Sequence, residues 1–339
     1  MRKHDLNRAM VEATVSRALQ DMERDSHRSA RNLVDMGLLF ARGPFEQRFL
    51  TLCRSILEDE ASPYYQVINR ALAQFDRQSL LTLGMNLGFE GCSRGARRIR
   101  EIEATQGFNV PWALEIAAGS QGLSRVYIQR TVSEAMELGI HVFLLEDRGI
   151  DQGELELLLA DNPTCVFGVF TTGSRGPEWD LAGLSRFHNL LMSVQGEEPL
   201  ALALCRALEE RRMPYAVHLA YTDETAGRLP QRLQEAAELR SLLVLLYNQG
   251  SSVRVQEAVQ QGVQTARTEH AYPFGLVNLP GDILAIDEII SSDPCRLSFL
   301  PDGTAVTTHG PTSSNIRHTP LAQILQKELP RSPSQPSDP

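Results

Sequence analysis

Between residues 80 and 250 the chain alternates two textures. Short runs that are apolar at nearly every position lie at 80–87, 112–117, 141–145, 165–170, 189–194, 215–221 and 242–247. Between them, at 93–104, 123–138, 152–160, 199–211, 230–239 and 253–267, apolar residues recur at helical spacing with polar residues opposite. Runs apolar at every position suit strands buried on both faces, which predicts a parallel sheet covered by helices. Six or seven such βα units fit an α/β protein built as a partial or full parallel (βα) barrel, or a doubly wound sheet, and the order of elements alone does not separate these.

The flanks differ. Residues 1–76 read as a helical N-terminal region. Leu6, Met10, Val11, Val15 and Leu19 approximate one stripe, 31–40 ends at Gly43-Pro44, a third helix spans 45–57, and Ser62-Pro63 opens a fourth with serine as cap and proline as first helical residue. The barrel pattern covers 78–270. Over 271–329 it breaks: 297–300 and 304–306 flank Pro301-Asp302-Gly303 and read as a hairpin, followed by a short helix at 321–329. Residues 330–339, rich in Pro, Ser and Asp, are expected to be disordered.

Composition narrows the chemistry. The 339 residues carry a net charge of −9, which argues against a nucleic-acid partner. No apolar run reaches the length of a membrane span, and the N-terminus lacks the apolar core of a signal peptide, so a cytoplasmic location without membrane contact is expected. Lysine occurs only at Lys3 and Lys327, which excludes a Walker-type phosphate loop, a Schiff-base lysine and a central lysine base. Cys53, Cys92, Cys165, Cys205 and Cys295 are too dispersed for a zinc knuckle and read as reduced thiols.

Ligands of parallel barrels sit at the C-terminal ends of strands, and candidate residues follow from that rule. If 80–87 is the first strand, the next loop holds Gly88, Gly91, Cys92, Ser93 and Gly95, with Cys92 at a helix N-terminus that would lower its pKa. Arg94, Arg97, Arg98 and Arg100 form a basic patch there, either a solvated helix face or an anion site. Gly119, Ser120 and Gln121 follow the second strand, where their amides could take a carboxylate or the glycines could simply tighten the turn. Glu146 and Asp147, Thr171 and Thr172, Gln195, Tyr221 and Asn248 close later strands. Glu115 is a carboxylate within a buried-type strand and needs a partner; His218 reads as a base or as a hydrogen-bonded core residue. No Ser-His-Asp set or metal-type histidine spacing occurs, so these residues alone identify no reaction.

Taken in order, the units resemble the radical S-adenosylmethionine superfamily in degenerate form. Residues 112–123 (WALEIAAGSQGL), then 137–145 (ELGIHVFLL), are similar to that family's second βαβ unit, where a Gly-Gly-Glu-Pro turn precedes the helix. Residues 295–306 (CRLSFLPDGTAV) and 314–325 (SNIRHTPLAQIL) resemble its SPASM-like C-terminal extension, so the likeness spans roughly residues 78 to 325. The family holds a [4Fe–4S] cluster by CxxxCxxC after the first strand. Here Cys92 stands alone, with Gly88 and Gly95 at the outer positions, and Gly119-Ser120-Gln121 lacks the carboxylate of the Gly-Gly-Glu turn. The cluster and its radical chemistry are therefore not expected, and no metal or other cofactor is, while the resemblance leaves room for S-adenosylmethionine itself. The leading expectation is a non-catalytic binding or accessory protein, taking a small molecule or peptide at the barrel mouth (Gly88, Cys92, Gly95, Gly119, Ser120, Gln121, Thr171, Gln195) or a protein partner. The alternatives are cluster-independent acid/base catalysis by Glu115, Glu146, Asp147, His218 or Tyr221, and an enzyme whose cluster is built from scattered thiols such as Cys92, Cys165 and Cys205.

Overall fold

The computed structural model describes residues 3–41, 43–291 and 293–331; side chains are described from residue 7 onward, so Leu6's lies outside, as do residues 332–339 of the expected tail. Four helices come first: α1 (Lys3–Met22), α2 (Ser26–Phe40), α3 (Pro44–Glu58) and α4 (Tyr64–Gln74). They enclose a small core of their own, around Ala18, Met22, Ala30, Val34, Leu57 and Tyr65. The α1 stripe is only partly used, since Met10 and Val11 are exposed. Pro63 rather than Ser62 occupies the cap of α4, and the buried Ser62 hydroxyl makes no hydrogen bond there.

Residues 80–87 are helical, where their apolar run predicts a strand. Asp76 caps α5 (Arg77–Gly84), its carboxylate accepting the Ser79 N–H at 2.8 Å. The helix continues as a π-helical segment, Met85–Gly95, into α6 (Ala96–Gln106). The apolar residues of that run are Leu and Met, good helix formers, and such short runs are ambiguous without the cap.

The sheet then unfolds in order: β1 (Ala113–Ala118), α7 (Arg125–Leu138), β2 (Val142–Asp147), α8 (Gln152–Asp161), β3 (Val166–Thr171), α9 (Leu181–Leu184), β4 (Leu190–Gln195), α10 (Ala201–Glu210), β5 (Tyr215–Tyr221), α11 (Leu229–Ala237), β6 (Leu243–Asn248), α12 (Val253–Thr268), β7 (Gly275–Asn278), α13 (Leu279–Ser291), β8 (Leu297–Phe299), β9 (Thr304–Thr307), β10 (Gly310–Asn315) and α14 (Leu321–Glu328). The spatial order is β10-β9-β8-β1-β2-β3-β4-β5-β6-β7. β1 to β7 are parallel and each neighbours the next in sequence. A doubly wound sheet requires the order to reverse; consecutive right-handed crossovers without reversal put every helix on one face. This is an α/β fold of the partial (βα)-barrel type. β7 and β10 remain edges, and α13, packed on α6, β6 and β7, carries the chain back to β8 beside β1.

Residues 271–329 continue the same sheet. β7 extends the parallel run and β8 pairs in parallel with β1, while β8 and β9 form the expected antiparallel hairpin, its turn using Gly303 at φ 89°. Pro330 and Arg331, expected to be disordered, are tied down: Pro330 bridges Phe108 and the Arg331 N–H donates to the Gly107 carbonyl.

The parallel register sorts the strand residues onto two faces. One face, with Leu114, Phe143, Phe167, Met192, Val217 and Val244, is fully buried under the helices. The other carries Glu115, Leu144, Phe170, Ser193, Gln195, His218 and Tyr247. It is concave: the ring centroids of Phe170 on β3 and His218 on β5, two strands apart, approach to 5.2 Å. At its lower, N-terminal end the π-helical segment plugs the concavity, with the Asn86 amide donating to the carbonyls of Pro163 and Cys165, both at 2.9 Å.

Candidate functional site

The upper half of the concave face is where polar and aromatic side chains converge, partly exposed at Glu115, Phe170, Gln195 and Tyr247 and buried at Ser193 and His218. His218 is its centre. Its ring lies 5.2 Å from that of Phe170 and 5.5 Å from that of Tyr247, and Nδ1 is 3.0 Å from the Ser193 hydroxyl. Burial pushes the imidazole down to about 4, so it is neutral at neutral pH. A base that weak takes up a proton only in acid, and Ser193 is fully buried, so the pair lacks the exposure and basicity of a nucleophile and its activator.

The carboxylates around this aromatic floor are each matched by an arginine. Glu115 binds Arg296 through two bonds of 2.7 and 2.6 Å, a partner 181 residues away. Glu146 pairs with Arg148 at 2.6 Å, half exposed. Glu197, in the loop after β4, takes the Nε of the nearly buried Arg232 at 2.6 Å. Desolvation, reinforced by Glu146 and Glu197, raises the Tyr247 phenol, which is therefore protonated at neutral pH. The ensemble is a charge-balanced surface with an aromatic floor, suited to holding a ligand by stacking and hydrogen bonds.

Other expected residues serve the scaffold. The amides of Gly119, Ser120 and Gln121 are already used, donating to the carbonyls of Leu123, Gly149 and Arg148 at 3.0, 3.0 and 2.9 Å. A Cβ on Gly119 would stand 2.5 Å from the backbone of Gly149, so this glycine serves loop packing. Thr171 faces the helices and donates to Asp147 at 2.7 Å; Asp147 also accepts the N–H groups of Gly149 and Ile150 and pairs with Arg175. Tyr221 points to the helix side as well, fully buried, its hydroxyl 3.3 Å from Asn278 Oδ1. Gln195 does lie on the concave face, in register with His218.

Gly88, Cys92 and Gly95 lie at the other end of the sheet, in the π-helical plug. Burial pushes the Cys92 thiol up to about 12, opposite to the lowering a helix N-terminus would give. A Cβ on Gly95 would come within 2.3 Å of the Gly139 carbonyl oxygen. The basic cluster is also there and structural: Arg94 binds Glu90, Arg98 the Glu137 carbonyl and Arg100 the Ile290 carbonyl. Cys165 sits just ahead of β3 and Cys205 inside α10, both buried. The implied four-iron cluster needs three thiolates converging at the mouth. These residues do not fit it, and among the described residues no group of three His, Cys, Asp or Glu is arranged to hold a metal ion.

Sequence reasoning missed Phe170, Ser193, Tyr247, Arg296 and the Glu197–Arg232 pair. The usable signal was alternation: Ser193-x-Gln195 and His218 break otherwise apolar strands at every second position.

No protein-family model and no curated protein matches the chain. Among solved structures, it is similar to Streptococcus suis SuiB bound to S-adenosylmethionine, at 11% identity and a TM-score of 0.48, over 88% of this chain and 82% of that one. SuiB bound to the precursor peptide SuiA matches at 9% identity and a TM-score of 0.48, covering 68% and 67%. Mycobacterium tuberculosis tryptophan synthase matches at 12% identity with a TM-score of 0.34, covering 59% and 98%. These values carry no functional argument. What the strand order establishes on its own is an α/β protein with a partly closed, singly wound parallel sheet and an N-terminal helical region.

Proposed function

We propose that the chain is a non-catalytic binding or accessory protein that receives a small molecule or a peptide on the upper concave face. One observation supports this above the rest: the ionisable groups converging there are neutral or paired. His218 is held neutral between two aromatic rings, and Glu115, Glu146 and Glu197 each have an arginine partner. Acid/base catalysis needs a group able to change protonation at working pH, whereas recognition is served by a preformed, charge-balanced surface. The sequence resemblance makes S-adenosylmethionine the first probe. Calorimetric titration should give binding that Tyr247→Ala weakens at least tenfold, with the nucleoside recovered intact. Cleavage of the probe by the pure protein would overturn the non-catalytic reading. Binding indifferent to Tyr247→Ala would overturn the location, and failure to bind would direct the search to peptides.

A further inference from the structure

We propose that the exposed face of α1, α2 and α3 is a homodimer interface. Leu39 and Phe40 at the end of α2 are 82% and 70% exposed, and Met10, Phe49 and Leu52 are each more than half exposed. Elsewhere in the described chain the large exposed apolar residues are single, apart from Leu200 and Leu202 at the start of α10. The helical region carries both a groove and a ridge. The groove, about 320 Å³, lies between α1 and α2, where Ala18, Leu33 and Met36 alternate with the polar Arg17, Asp21 and Asn32; Met10 and Phe40 lie one helical turn beyond Thr14 and Met36 on its two walls. The ridge is on α3, where Phe45, Phe49 and Leu52 follow at i, i+4 and i+7, Phe49 stacked 6.0 Å from Phe45, which is itself anchored against the main core.

Three arguments select a second copy as the occupant. A two-fold axis lets the ridge of each copy enter the groove of the other, as in a helical bundle assembled from two hairpins. Residues 1–60 contain ten basic and ten acidic residues, so the whole −9 resides on the remainder, and two such faces meet without net repulsion. The exposed apolar side chains of this face offer on the order of 600 Å² per copy, close to the roughly 800 Å² per partner of a stable interface once polar rim atoms are included. The chain's own last residues, 332–339 (SPSQPSDP), contain no large apolar side chain to cover it.

Sedimentation velocity and light scattering on the full chain, up to about 100 µM, test this. The expected result is a particle of twice 37.7 kDa that becomes monomeric in Phe40→Glu/Phe49→Glu, with circular dichroism and melting unchanged because both residues are exposed. A wild type monomeric throughout overturns the proposal and leaves the face to another protein. A dimer surviving the double substitution overturns it as well, since the contact then lies elsewhere. Neither outcome touches the mouth, so the binding reading stands or falls separately.

Discussion

The two ends of the parallel sheet are built on opposite principles. At the N-terminal end the π-helical segment inserts glycines, a buried thiol and a fully buried carboxylate, Glu90, whose oxygens bind Arg8 of α1 at 2.9 Å and Arg94 at 3.0 Å. That end is closely packed and its charges are paired within the chain, although the buried Asn86 Oδ1 and His141 Nδ1 have no hydrogen-bond partner among the described residues. At the C-terminal end the concave face leaves aromatic and polar side chains half-covered above His218, with charges balanced in pairs. Glycine-rich sequence therefore marks close packing at one end, and the concave surface proposed to bind a ligand is marked by polar residues at alternate strand positions at the other.

Substitutions at the plug should cost folding, and those at the mouth progressively less. The largest effect is expected for Gly95→Ala, whose new Cβ meets the Gly139 carbonyl; a loss of about 4 kcal/mol or more in urea unfolding is predicted. Glu90→Ala removes a fully buried carboxylate and leaves a cavity beside Arg8 and Arg94, both of which reach solvent, and should cost about 2–4 kcal/mol by the same measurement. A smaller loss would mean that α1 is not held to the barrel through this ion pair.

His218 lies between the two regimes, and pH separates its structural share. Its folded pKa, about 4, is below the ordinary 6.5, so the unfolded chain binds the proton more readily. The stabilisation is therefore complete above about pH 6.5 and lost as pH falls toward 4, a change on the order of 3 kcal/mol that His218→Gln should abolish. Catalysis by this residue would instead leave melting nearly unchanged in the variant while removing activity. Glu115→Gln weakens a bidentate pair that is about one-third exposed and should cost about 1 kcal/mol. Glu146→Gln, half exposed, should change stability by less than about 0.5 kcal/mol.

Most of the fold was legible because buried parallel strands announce themselves. The six runs from 112 to 247 became β1–β6 with ends shifted by at most two residues. Three things were not. The run 80–87 has strand-like hydrophobicity but helix-forming residues behind an Asp76 cap, a decision made by local capping rather than apolar content. β8 was legible as one arm of the hairpin with β9, but its parallel pairing with β1 is a contact no local pattern encodes. The site was half legible: Glu115, Glu146, Gln195 and His218 stand out as polar residues in apolar strands, yet Arg296 reaches Glu115 from 181 residues away. Gly88, Cys92 and Gly95 were assigned to the mouth only because a strand was placed before them.

Anaerobic reconstitution with iron and sulfide, followed by an absorption scan, tests most directly whether thiols held at the plug can serve the mouth. With Cys92 buried at the far end of the sheet, the protein should stay colourless, holding no stoichiometric iron. A stoichiometric brown species bleached by dithionite, yielding 5′-deoxyadenosine from S-adenosylmethionine, would contradict the account.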